Sequence, residues 1–393
     1  MKHLSFATLF AAVSGFVVLW VASKALDADS AYRYFAAYWG LFFASTGLID
    51  GLTHETTRAV AAAREDGRRG SANPWRLGAW TALVVVVVAA VAGALFSGTV
   101  VPGSTLTATA LLQVGLVMYV FQAVLGGVLS GAQLWERYAA LVALDSGVRL
   151  VLALAAWALG WGLPAFLVIT VVGALSWLVV LRREHLRVPL DVHRGVFVRR
   201  VLTAMVASGA SAALITGFPT AVNAAFPEAS VAAIMNAVIL TRAPVLVPLQ
   251  RFQSALVVRF VERREALVAA LVQPVAAVLG LGVVGFAAAW AVGPWILKLA
   301  FDPEFYVDGL TLGVLTFASA FMGALIITGV AVLSLERHGW YVAGWLTATA
   351  VAFAVLGVMP RLVGVDVHSV VVTALFAGPL AGAAVHLVAL RLR

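Results

Sequence analysis

Cysteine is absent from all 393 residues, which excludes disulfide bridges and thiolate metal sites together. Charge is scarce too. Asp, Glu, Lys and Arg make up 11% of the chain against 63% hydrophobic residues, where a soluble domain carries roughly 25% and 45–50%. That balance excludes a water-soluble globule. The histidines are scattered, and His185 with His193 lack the carboxylate company of a metal site, so no metal is expected. No G-x-x-x-x-G-K-[ST] run occurs, so the chain is not expected to hold or hydrolyse a nucleotide, and no cofactor is implied. Gly280, Gly282 and Gly285 do fit G-x-G-x-x-G, but they sit inside an apolar run with no preceding strand and no acidic ribose ligand. They read as helix-packing glycines. No loop is long enough to house an enzyme active site; the longest expected outer loop, Gly293 to Asp308, offers only Asp302, Glu304 and Asp308.

What the chain has in abundance is long apolar stretches. A bilayer core takes about 20 apolar residues per helix, and reading for such runs gives twelve, near 4–24, 34–53, 77–98, 107–130, 139–159, 164–181, 201–222, 229–250, 267–292, 309–333, 340–358 and 369–390. The expected fold is an all-α polytopic membrane protein of about twelve transmembrane helices. Lys2 followed by apolar Leu4 to Ala22 has the look of a signal peptide, but Lys24 stands in the would-be cleavage region, so an uncleaved first helix is expected. The longest mid-chain basic loop, Arg182 to Arg200, suggests two six-helix lobes, residues 1–190 and 191–393, around a central cavity. Gly47 with Gly51, Gly127 with Gly131, and Gly378 with Gly382 have the small-residue spacing of close helix contacts.

The net charge of +8 invites a nucleic-acid reading until the positions are read. With the N-terminus inside, 20 of the 26 Lys and Arg fall on the cytoplasmic side and only Lys24, Arg33, Lys298 and Arg361 on the other. Such a bias reports topology. It predicts a cell-membrane protein with both termini cytoplasmic and no nucleic-acid partner.

Two arginines remain inside spans, and an intramembrane charge is a functional candidate by default. Arg149 follows Asp145 at i, i+4 in the fifth helix, a spacing that lets them pair. The pair either locks the bundle or lines the cavity. Arg242 has no acidic neighbour in its own helix and precedes Pro244 and Pro248; it is open to contact with an anionic substrate, to pairing with Asp145, or to snorkelling. On the second helix Asp50, His54 and Arg58 recur every four residues beside Thr46, Thr53 and Thr57. That stripe reads either as a helix emerging into water or as a water-filled entrance. On the eighth helix Arg242, Gln250 and Ser254, with Arg251 and Gln253 nearby, form a looser counterpart.

The run ALDADSAYRYFA at Ala25 to Ala36, GLIDGLTHETTRAV at Gly47 to Val60, ILTRAPVLVPLQ at Ile239 to Gln250 and GPWILKLAFDPEFYVDGLTLGVL at Gly293 to Leu315 resemble segments of O-antigen-type polysaccharide flippases. These belong to the multidrug/oligosaccharidyl-lipid/polysaccharide exporter superfamily. The resemblance extends along the whole chain in helix count and loop placement. It implies a transporter that turns a polyprenyl-pyrophosphate-linked oligosaccharide from the cytoplasmic to the outer leaflet, with membrane lipids around it and polysaccharide assembly proteins as partners. Arginine suits multidentate phosphate contact, so Arg149, Arg242, Arg58 and Arg251 are the implied head-group ligands, with Asp145, Asp50 and His54 as coupling or cavity residues. The alternatives are a small-molecule or drug exporter of the same superfamily, whose site should be acidic or aromatic, a non-transporting scaffold of polysaccharide assembly, and a membrane glycan polymerase or ligase.

The cysteine-free chain makes the orientation directly testable. A single Asp302→Cys substitution should react with a membrane-impermeant maleimide on intact cells, whereas Arg187→Cys should react only after permeabilisation. The opposite labelling pattern would invert the topology.

Overall fold

Within hydrocarbon every backbone N–H and C=O must be satisfied internally, so apolar runs of this length become helices. The computed structural model of the chain describes residues 2–67, 69–101, 105–227, 230–262, 266–335, 337–362 and 365–392. Among them there is no strand. Each of the twelve expected spans falls on a helical segment, and ten of these segments are long and apolar enough to cross a membrane. The chain is a multi-pass all-α membrane protein. The other two expected spans lie on α2 (Arg33–Asp66) and α10 (Ala232–Glu262), helices of 34 and 31 residues. Both carry charges within their length.

The chain separates into two compact units, Met1–Thr220 and Ala221–Arg393. In the first unit α1 (Lys2–Ala25), α3 (Pro74–Val100), α4 (Thr105–Gly131), α5 (Trp135–Ala158), α6 (Leu163–Val172), the short α7 (Trp177–Val180) and α8 (Arg194–Ile215) accompany α2. Glycines set how closely α2 is approached. A Cβ on Gly51 would lie 2.2 Å from the Met205 backbone nitrogen of α8, and one on Gly47 2.3 Å from Ala212 Cβ. From the other side, a Cβ on Gly127 or Gly131 of α4 would lie 2.6 Å from Thr56 Cβ or the Thr57 carbonyl oxygen. The paired small residues therefore bring both neighbours onto α2, as their spacing predicts.

The expected sixth span is interrupted. After α6 comes a 3-10 turn at Gly173–Leu175 before α7. Arg149 of α5 donates from Nε to the Thr170 carbonyl at 3.0 Å, and a side-chain donor entering a helical ladder in this way breaks its register.

The second unit opens in α9 (Phe218–Ala225), inside which the boundary falls, and contains α10, α11 (Leu267–Ala300), α12 (Gly309–Ser334), α13 (His338–Val358) and α14 (Val367–Arg391). α12 is its core, packed by α10, α11 and α14. α11 runs through Pro294 to Ala300, so the expected outer loop from Gly293 is shortened to residues 301–308. The cause is packing: a Cβ on Gly309 would sit 2.3 Å from the Trp290 carbonyl oxygen and 3.2 Å from Pro294 Cγ, so the start of α12 lies against the last turns of α11. Of the three glycines in the dinucleotide-like run, Gly282 and Gly285 meet Ala320 and Thr316 of α12, while Gly280 faces open space.

His386 joins three helices of this unit. Fully buried, it places Nδ1 3.1 Å from Thr328 Oγ1 of α12 and Nε2 3.2 Å from the Tyr341 carbonyl oxygen of α13, with the Tyr341 ring stacked on it. A Cβ on Gly344 would fall 2.1 Å from His386 Nε2. At the other end of α14, Asp366 caps the helix by accepting from the Ser369 hydroxyl and backbone N–H, which hold its carboxyl below the usual range. That cap acts above the ordinary carboxylate range and fades as the pH falls through the lowered value.

Gly51→Ala should destabilise the first unit by about 1–3 kcal/mol, because the α8 backbone must retreat; thermal unfolding of the detergent-solubilised protein measures it. Gly280→Ala, in open space, should leave the midpoint unchanged or raise it.

Candidate functional site

A chain of polar side chains runs through the first unit across α2, α4, α5 and α6. Tyr119 and Gln122 lie three residues apart on α4 and so project from one face. The Tyr119 hydroxyl donates to Asp50 Oδ1 of α2 at 2.7 Å, and Gln122 Nε2 donates to Asp145 Oδ1 of α5 at 3.1 Å. Asp145 Oδ2 accepts from Arg149 Nη1 within the same helix. Arg149 is 4% exposed, and its guanidinium carbon lies 5.8 and 5.2 Å from the ring centroids of Phe42 and Phe43. Gly173 closes over it, since a Cβ there would be 2.5 Å from the guanidinium carbon. Two buried atoms of this polar network have no hydrogen-bond partner among the described residues, Arg149 Nη2 and Gln122 Oε1.

The two carboxylates differ in company. Asp145 has a full counter-charge. Asp50 is half-buried and held by a phenol hydroxyl, with no ion pair among the described residues. The two repel one another, and both act on Tyr119. An acidic side chain in an apolar bundle without a cation beside it is suited to receive a proton or a metal cation. Among the described residues no group of three or more His, Cys, Asp or Glu side chains converges as a metal site would require.

The stripe expected on α2 does not act as one unit. A step of four residues turns 40° on a helix, so the three side chains fan toward different neighbours. Asp50 turns to α4. His54 is exposed, with Ser208 Oγ of α8 at 3.4 Å from its Nδ1. Arg58 binds Glu55 of its own helix through Nη2 at 2.7 Å and reaches the connector between α7 and α8 through Nη1, 3.1 Å from Asp191. Its charge is thus met by two carboxylates. Arg200 adds to the same network at 3.9 Å from Glu55.

In the second unit Arg242 is buried in α10 beside Thr241, with Asn236 buried on the same helix. Asp145, one partner considered for it, pairs with Arg149 of its own helix. Arg251 belongs to α10, but its side chain lies outside the described residues, as do those of Gln250, Gln253 and Ser254. Sequence reading passed over Tyr119, Gln122, Glu55 and Asp191. Tyr119 and Gln122 carried a usable signal, two polar residues three apart within a long apolar run, and Glu55 stands one turn before Arg58. Nothing in the sequence connects Asp191 to Arg58.

The architecture is that of MATE-type transporters of the MOP superfamily. An inward-facing multidrug resistance MATE family transporter superposes with a TM-score of 0.75 at 14% identity, covering 98% of this chain and 93% of its own. An outward-facing one gives 0.70 at 18%, covering 100% and 94%. A MOP superfamily transporter from Pyrococcus furiosus, described as having a binding pocket of reversed polarity suggesting a different function, gives 0.69 at 16%, covering 99% and 95%. At these identities the likeness establishes the fold. No family profile matches the sequence. Among individual proteins, the uncharacterized protein Rv3630 of Mycobacterium tuberculosis is 36% identical over 396 residues, covering 98% of this chain and 90% of that protein. The uncharacterized protein Rv1510 of the same species is 34% identical over 400 residues with the same coverage. The chain belongs to the family of these mycobacterial proteins.

Removing one member of a buried ion pair leaves an uncompensated charge, at a cost of about 3–5 kcal/mol. Asp145→Leu or Arg149→Leu alone should therefore lower the unfolding midpoint sharply, while the double Leu variant should recover most of it. A double variant as unstable as either single would show that the pair is not what holds α5 to α6.

Proposed function

We propose that this chain is a secondary transporter that uses the buried carboxylates of its first unit to couple cargo movement to an ion gradient. Its cargo on this reading is a polyprenyl-pyrophosphate-linked oligosaccharide, turned from the cytoplasmic to the outer leaflet of the cell membrane, with both termini cytoplasmic. The observation that carries the coupling role is Asp50: a carboxylate in an apolar bundle, steadied by the Tyr119 hydroxyl and free of ion pairs among the described residues. A sequence without a nucleotide-binding loop must draw its energy from elsewhere. Protonation of Asp50 would relieve its repulsion with Asp145 and change which oxygen Tyr119 holds. That supplies the differential interaction a two-state element requires.

The cargo assignment rests on the resemblance to O-antigen-type flippases and on the surplus of arginine. A pyrophosphate entering hydrocarbon needs cations in place of its water, and arginine presents a fork suited to it. The head-group ligands on this reading are the arginines the resemblance implies, Arg149, Arg242, Arg58 and Arg251, of which Arg149 and Arg58 also bind carboxylates. A second reading, export of small cationic compounds, draws on Asp50, which offers negative rather than positive charge to a ligand, while Asp145 is paired with Arg149. Polysaccharide assembly proteins would be partners under the first reading and not the second.

Two measurements separate these outcomes. Deleting the protein should cause a lipid-linked oligosaccharide to accumulate on the cytoplasmic face, and Arg242→Gln should reproduce the defect. Asp50→Asn should abolish ion-gradient-driven transport in proteoliposomes while the protein remains folded. Normal polysaccharide with no accumulating intermediate, together with Asp50-dependent efflux of cations, would replace the first reading with the second.

A further inference from the structure

The segment between α7 and α8 is built rather than loose. The Gly70 N–H donates to the Leu190 carbonyl at 2.6 Å and the Ala72 N–H to that of Val192 at 3.2 Å, pairing the segment with the turn before α3. The Asp191 N–H donates to the Ala59 carbonyl at 3.2 Å, and Trp75 Nε1 to the His185 carbonyl at 3.0 Å. His185 is buried beneath it, with Arg137 Nη1 2.8 Å from Nε2. A connector tied at this many points presents a fixed outer surface.

That surface lies where two spans begin and end. α3 opens at Pro74, and the span containing α6 closes at Val180. The Trp75 and Trp177 rings meet here with centroids 6.2 Å apart, and tryptophans at span ends sit at the depth of lipid headgroups. At the end of the span Leu178 and Val179 are exposed at 53% and 76%, and in the segment itself Leu186 is exposed at 43%. On the polar side stand Arg76, Arg182, Arg183 and Arg187, all exposed and none in an ion pair among the described residues. The two carboxylates of the segment do not offset them. Glu184 is engaged by Arg137, whose guanidinium holds its carboxyl below the usual range, and Asp191 is engaged by Arg58.

We propose that this fastened segment is a binding surface for anionic phospholipid headgroups of the leaflet it borders. Cations at headgroup depth meet the phosphate, and exposed leucine and valine beside them meet the upper acyl chain. A freely dissolved phosphate would use only the first of these contacts, so the occupant is a lipid. Each arginine near an anionic surface strengthens binding by about fivefold.

Native mass spectrometry of the purified full-length chain, delipidated and then supplied with phosphatidylglycerol or phosphatidylcholine, reads the retained lipid directly. The wild type should retain phosphatidylglycerol in preference, and Arg182→Gln with Arg183→Gln and Arg187→Gln combined should weaken retention on the order of a hundredfold, from three factors of about five. The matching triple lysine variant should keep most of it, and should the triple glutamine variant not fold, Arg183→Gln alone should lose about fivefold. Unchanged retention in the glutamine variants, equal retention of phosphatidylcholine, or displacement of phosphatidylglycerol by millimolar inorganic phosphate would each overturn the proposal. None of these readouts depends on transport.

Discussion

A guanidinium enclosed in an apolar bundle has to be neutralised, and four helices of the first unit are arranged around that requirement. Arg149 takes its counter-charge from Asp145 one turn earlier, a backbone acceptor from α6, and the faces of two phenylalanines from α2. Gln122 of α4 then holds the far oxygen of Asp145, and three residues earlier Tyr119 holds Asp50. The break in the sixth span and the glycine at position 173 follow from the same demand, because the helix must yield a carbonyl and make room for the group that binds it. Enclosing an ion pair is weak support for stability. It is strong support for a fixed mutual orientation of the helices that supply the partners.

How much of this was legible depended on whether partners share a helix. The apolar runs located the ten helices long and apolar enough to cross a membrane and put the other two expected spans on α2 and α10, and the i, i+4 relation of Asp145 and Arg149 announced their contact. Small residues four apart identified the faces of α2, α4 and α14 that pack closely. Contacts between helices were silent: Tyr119 meets a carboxylate 69 residues away and Arg58 one 133 residues away. The α2 stripe was misleading for a geometric reason, since residues four apart share a side of the helix but not a neighbour. The extension of α11 through Pro294 was also hidden, because proline ordinarily marks a helix end and here the packing of Gly309 overrides it.

The fold and the site bear on function with different weight. The MATE-type architecture by itself does not select a cargo; on the proposed reading the selecting feature is the charge a site leaves unneutralised. Arg58 and Arg149 are largely answered by acids, whereas Asp50 is not answered by any described cation. On the proposed reading the coupling chemistry lies in the first unit, on residues that the hydrocarbon environment makes costly to keep. On the same reading the cargo question extends to α10, which carries the buried Arg242.

The contact between His386 and Gly344 has an evolutionary corollary. A methyl group at 344 would occupy the place of the imidazole Nε2, so the two positions are not independent of one another. Family members that carry alanine or a larger residue at the equivalent of 344 should carry a smaller or differently shaped residue in place of the histidine. Drift at either site would then have to pass through a less stable sequence or be accompanied by a compensating change on α12, making Thr328 the third member of a co-inherited set.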